Sequence, residues 1–85
     1  MPEYKALYPV GTPVRVSSLE ALKSFRASWA FHHKLDDQQL DFAGQIAVVS
    51  SVGYYHGGDP LYELRGVPGT WHEVCLEPAP AHGAV

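Results

Sequence analysis

Between Gln45 and Pro78 the chain reads as apolar segments parted by two turn signals, and nothing else in it constrains the fold so strongly. Ile46-Ala47-Val48-Val49 is apolar at every position, which predicts a central strand covered on both faces, running on to Tyr55. His56-Gly57-Gly58-Asp59 predicts a tight hairpin turn, with the glycines supplying positive φ angles. Leu61-Tyr62-Glu63-Leu64-Arg65 alternates, so Tyr62 and Leu64 share a face. Val67-Pro68-Gly69-Thr70 fits a type II turn, with proline at its second position and glycine at its third. Trp71-His72-Glu73-Val74-Cys75-Leu76 follows as the last strand, ended by Pro78. Links this short join neighbours in an antiparallel meander.

Upstream, Pro9-Val10-Gly11-Thr12-Pro13 is turn chemistry leading into a short strand at Val14-Arg15-Val16. Ser17, with Glu20 three residues on, predicts a capped helix over 18–28. Leu19, Leu22 and Phe25 fall at helical spacing there, while Glu20, Lys23 and Ser24 face water. Asp36 is a strong N-cap for a second, short helix, with Gln39 at N3 and Leu35 and Leu40 at the staple positions. Gly44 ends it. The order is therefore strand, helical excursion, then successive hairpins. That is the layout of a mainly β, SH3-like barrel of about five strands with a helical excursion after the first. An open antiparallel sheet with the helix packed across one face is the alternative.

The 85 residues suffice for one domain. Residues 1–8 read as an N-terminal arm lying loosely on the surface, 9–78 as the barrel, and 79–85, poor in large side chains, as a flexible tail. A hydrophobic content of 46% argues against disorder. No apolar run approaches the roughly 18 residues of a membrane span, so no membrane partner is expected. No signal peptide is visible, one cysteine excludes an internal disulfide, and the expected location is cytoplasmic. A net charge of −3 disfavours nucleic acid as a partner, although Arg15, Lys23, Arg26 and Lys34 could form a local basic patch.

Five stretches taken in order resemble the SH3-like barrel of nitrile hydratase beta subunits. Val10-Gly11-Thr12-Pro13-Val14-Arg15-Val16 resembles its opening Gly-x-x-Val-Arg-Val segment, and His32-His33-Lys34-Leu35 lies where the family carries His-x-Arg-x-Pro. Phe42-Ala43-Gly44-Gln45-Ile46-Ala47-Val48-Val49 looks like its aromatic, small-residue, glycine segment entering a strand. Pro60-Leu61-Tyr62-Glu63-Leu64 is similar to its Pro-Leu-Tyr-x-Val strand, and Trp71-His72-Glu73-Val74-Cys75-Leu76-Glu77-Pro78 to its closing Trp-Glu-x-Tyr-Leu-Glu-Pro. The resemblance implies an SH3-like barrel. It does not imply catalysis by this chain alone, because the family's iron or cobalt centre belongs to a Cys-rich loop of the alpha subunit. Lys34 stands nearest to where the family's metal-contacting arginines would fall, and a lysine lacks their planar bidentate fork.

Reactive constellations are sparse. His72 and Cys75 have the spacing of metal ligands, with His32, His33 and His56 as further donors. On a regular strand, however, positions three apart face opposite ways, so no metal is expected. Cys75 with His72 and Glu73 resembles a thiolate, base and orienter on paper, but a cysteine between valine and leucine reads as an inert core thiol. Gly57-Gly58 lacks the lysine and helix of a phosphate loop, and no cofactor is expected. Aromatic residues are the more informative group. Trp29, Phe31, His33, Tyr55, His56 and Trp71, on the excursion and hairpin ends, are the expected contact residues for a protein partner or a second copy of the chain. The expected function is thus a non-catalytic protein-interaction module, which the resemblance narrows to a free-standing nitrile hydratase beta-like subunit or assembly partner. Its alternatives are a component of a metal-dependent nitrile hydratase-like hydro-lyase needing a separate alpha-type chain, and a nucleic-acid-binding small barrel.

Overall fold

β1 (Pro13–Val16) places Val14 and Val16 inward, both fully buried, as its alternation requires. A computed structural model describes residues 6–30, 32–55 and 58–79. After β1 the chain makes α1 (Leu19–Ser28) and the short α2 (Asp37–Leu40). It then returns as β2 (Ile46–Tyr55), β3 (Asp59–Leu64) and β4 (Val67–His72). A 3₁₀ turn, Glu73–Cys75, leads into β5 (Leu76–Pro78). The five antiparallel strands form one open sheet in the order β4-β3-β2-β1-β5. The expected mainly β architecture, with five strands and a helical excursion after the first, is the one observed.

β2 is the hinge of this sheet. Its first residues pair with β1 and its later ones with β3, and the register shifts between Val49 and Ser51. A bulge there bends a strand and raises its twist. The bend wraps the sheet around Val14, Val16, Leu22, Val49, Tyr62 and Trp71, all fully buried. Each such side chain contributes about 1.5–3 kcal/mol by leaving water.

Several local expectations are corrected. The cap of α1 is Ser18, whose Oγ accepts from the Ala21 N–H at 3.1 Å. Ser17 is instead buried, its N–H given to the Cys75 carbonyl at 2.9 Å. The β3–β4 turn is Arg65-Gly66, because Leu64 pairs with Val67. Val67 is needed in the core, so it cannot stand at a turn corner. Gly66 supplies the left-handed φ of 74° that a two-residue turn needs. Pro68 and Gly69 lie within β4 instead.

The segment 71–76 is not one strand either. The 3₁₀ turn breaks it and carries the chain from the β4 end of the sheet to the β1 edge, where Val16 pairs with Leu76. β2 is central, as its apolar run implied, but it is not covered on both faces: Ile46 is exposed. Gly58 does not use a positive φ.

The expectation of a loose N-terminal arm fails for Tyr8, which joins the core with its ring 5.7 Å from that of Tyr62. The Tyr62 hydroxyl donates to Glu73 Oε2 at 2.5 Å, and the same carboxylate accepts from the Leu7 N–H at 3.1 Å. Burial, then the bond to Glu73, raises the Tyr62 pKa, so this hydroxyl stays a donor.

The capping box of α2 forms as expected. Gln39 N–H donates to Asp36 Oδ1 at 3.0 Å, and Gln39 Oε1 accepts from the Asp36 N–H at 3.1 Å. The buried Gln39 also donates to the Thr70 carbonyl at 3.0 Å. That bond, with Pro68 and the irregular register at Gly69, blunts β4 as an exposed edge.

Candidate functional site: an aromatic and imidazole cluster on the outer face of the sheet

Tyr62 and Trp71 are cross-strand partners and both point inward. Their neighbours Leu61 and His72, also paired, therefore point to the opposite face. His72 is nonetheless buried, because the segment after α1 folds back over this face. Phe25 and Trp29, one helical turn apart, stack at 5.2 Å, and both lie against the His72 ring, at 4.9 and 4.8 Å. His32 stacks nearly parallel on Tyr55, with ring centroids 3.6 Å apart and an interplanar angle of 11°. It meets Trp29 edge-on at 5.4 Å.

Two ring N–H groups hold the turn that delivers these side chains. The Trp29 indole donates to the His32 carbonyl at 2.6 Å. His72 Nε2 sits 2.9 Å from the His33 carbonyl, an acceptor, and so carries the proton there. With both carbonyls captured, His33 takes a left-handed φ of 52° and projects its ring outward, edge-on to Tyr55 at 5.7 Å. A non-glycine residue in that region costs on the order of 1 kcal/mol, which the two bonds offset.

Beyond His33 the outer face is not covered. A groove of about 250 Å³ is lined by His33, Ser51, Gly53, Leu61, Glu63 and Thr70. Gly53 opens it, since a Cβ there would meet nothing within 4 Å. The site is thus a half-covered sheet face with a ring cluster at one end and a mixed polar and apolar floor beside it.

Of the expected contact residues, Trp29, His33 and Tyr55 are brought together here. Trp71 is not among them: it is fully buried on the inner face and presents nothing to a partner. Phe31 and His56 lie outside the described residues. Sequence reasoning missed Phe25, Asp59 and the groove floor, and weighed His32 as a metal donor and His72 as a metal donor or a general base, not as parts of a contact surface. A glycine inside an otherwise regular strand, Gly53, was the available signal for the groove.

His72 and Cys75 do not form a ligand pair. His72 Nε2 is engaged with the His33 carbonyl, and Cys75 is buried in the core. Among the described residues no three His, Cys, Asp or Glu side chains are grouped to hold a metal ion. Burial pushes the Cys75 thiol up to about 12, so it carries almost no thiolate at neutral pH. Burial first, then the neighbouring His32 and His33, holds the His72 pKa below its ordinary 6.5. No helix among the described residues is long and apolar enough to cross a membrane. No family model matches the chain, and no curated protein matches it significantly.

Proposed function

We propose that this chain is a non-catalytic SH3-like interaction module that binds a protein partner through the outer face of β2, β3 and β4. The observation that carries the reading is the half-covered sheet face: His33 and Tyr55 at the rim of the ring cluster, opening onto a groove of about 250 Å³. Aromatic side chains fixed by packing give large contact area at low entropic cost, and a sheet face bordered by them suits an extended segment of another chain. The strongest nucleophile, Cys75, is a protonated core thiol remote from that face in role, which favours binding over catalysis. The sequence resemblance supports a specific form of the module, a free-standing counterpart of the nitrile hydratase beta barrel that docks on a metal-bearing partner. Cytoplasmic location belongs to the same reading.

The test pairs the wild-type chain with Tyr55→Ala. Each is immobilised and exposed to native lysate, and light scattering gives its mass in solution. A stoichiometric partner, or a dimer, that is retained by wild type and lost by Tyr55→Ala supports the reading. A monomer that retains no stoichiometric partner, or one whose partner binds both proteins equally, contradicts it.

A further inference from the structure

The ring cluster holds one histidine set between a carboxylate and the face of an aromatic ring. His32 Nε2 is buried and, among the described residues, makes no hydrogen bond. It faces Asp59 Oδ2 at 3.6 Å, beyond ordinary hydrogen-bond length. A neutral ring with its proton on Nδ1 turns a lone pair toward the carboxylate. One with its proton on Nε2 offers a donor without charge. An imidazolium alone offers both. Its other face is provided for as well, since the Tyr55 ring lies flat against it at 3.6 Å and a π face attracts a cation.

We propose that His32 is a proton-operated latch: on acidification it becomes an imidazolium held between Asp59 and Tyr55, and so fastens the segment after α1 to the β2–β3 hairpin end. Among the described residues, the groups facing His32 come from three strands and the overlying segment. Tyr55 stands on β2, Asp59 on β3 and His72 on β4, with Trp29 and His33 on the overlying segment. His72 and His33 oppose the added charge only if they too are protonated. His72, buried and already donating to the His33 carbonyl, is the ring least able to accept a second charge. His33 is exposed to water, which screens it. Tightening at His32 fixes the backbone that projects His33 over the groove, because the His32 carbonyl is the acceptor of the Trp29 indole. The latch does not require that the groove bind anything.

The experiment uses the full chain and Asp59→Asn, a change at a side chain 60% exposed that leaves the core untouched. Proton NMR follows the His32 ring from pH 8 to pH 5 in both. The same samples give the hydrogen-exchange rate of the Trp29 indole, referred to that of Trp71 in the same spectrum. The expected result is a proton affinity of His32 about threefold or more lower in Asp59→Asn. In wild type the Trp29-to-Trp71 exchange ratio should fall about threefold between pH 7.5 and pH 5.5, and in Asp59→Asn it should stay level. Equal His32 affinities in the two proteins overturn the proposal, and so does a wild-type exchange ratio that does not fall.

Discussion

The two faces of one sheet are covered in different ways. On the inner face Val14, Val16, Leu22, Val49, Tyr62 and Trp71 exclude water completely; the Tyr62 hydroxyl is paired with Glu73, while the buried Trp71 Nε1 makes no hydrogen bond among the described residues. On the outer face Trp29, His32 and His33, from a folded-back segment, meet Tyr55 of β2, remain partly open, and leave a groove beside them. The inner face is built from apolar and aromatic side chains, and the outer face adds three imidazoles, His32, His33 and His72, to its aromatic rings. In a chain of 85 residues, the proposed function sets stability and contact on opposite sides of the same strands.

The sharpest way to break this contrast is to truncate one tryptophan from each side. Trp71→Ala should cost about 3–5 kcal/mol, much of the roughly 5–10 kcal/mol expected for a domain of this kind. Trp29→Ala, at a half-buried ring, should cost about 1–2 kcal/mol, with both read from urea denaturation. Next in size, Gly69→Ala should lose about 1–3 kcal/mol in the same assay. Its φ is +96°, and a Cβ would lie 2.6 Å from Gln39 Nε2, the atom that holds the Thr70 carbonyl.

Acid should separate the faces without mutation. Because the folded-state pKa of His72 is depressed, the unfolded chain takes up its proton first as pH falls. Stability from this group is complete above about 6.5, declines as pH drops toward the folded value, and then levels. Thermal melts should show that loss, and in Asp59→Asn it should be steeper, because the Asp59 charge that partly offsets the depression of His72 is gone. In alkali the sign reverses for Cys75. Its folded pKa is raised to about 12, so the stability it contributes is lost as pH rises above the ordinary thiol range toward that value. At neutral pH a chromogenic disulfide reagent should label Cys75 only at the rate of core opening.

The smallest effect should come from Gly53→Val. The Cβ there meets nothing within 4 Å and valine suits a strand, so stability should stay within about 0.5 kcal/mol while the side chain narrows the groove.

What could be read from the sequence was local. Asp36 and Gln39 carry their own capping box, and Tyr62 and Leu64 declare their shared face by alternation. Gly44 marks the helix stop with its φ of 81°. The Arg65-Gly66 turn was missed because Pro68-Gly69 carries a stronger local signal, and only the burial of Val67 decides between them. The site was half legible for a related reason. Trp29, His33 and Tyr55 announce themselves as aromatic or polar residues on loops and strand ends. The role of His72 depends on a segment about 40 residues earlier folding back onto it, and no local pattern encodes that contact. Trp71 was misassigned because neighbouring strand residues face opposite ways, and sequence alone did not say whether Trp71 or His72 faced the core.

The most direct test of the division between faces is a binding titration with whichever partner, or second copy, the wild-type chain retains. His33→Ala combined with Tyr55→Ala should weaken that affinity at least about tenfold, or about 1.4 kcal/mol, while moving the urea midpoint little. Unchanged affinity in that double variant would contradict the assignment of contact to the outer face.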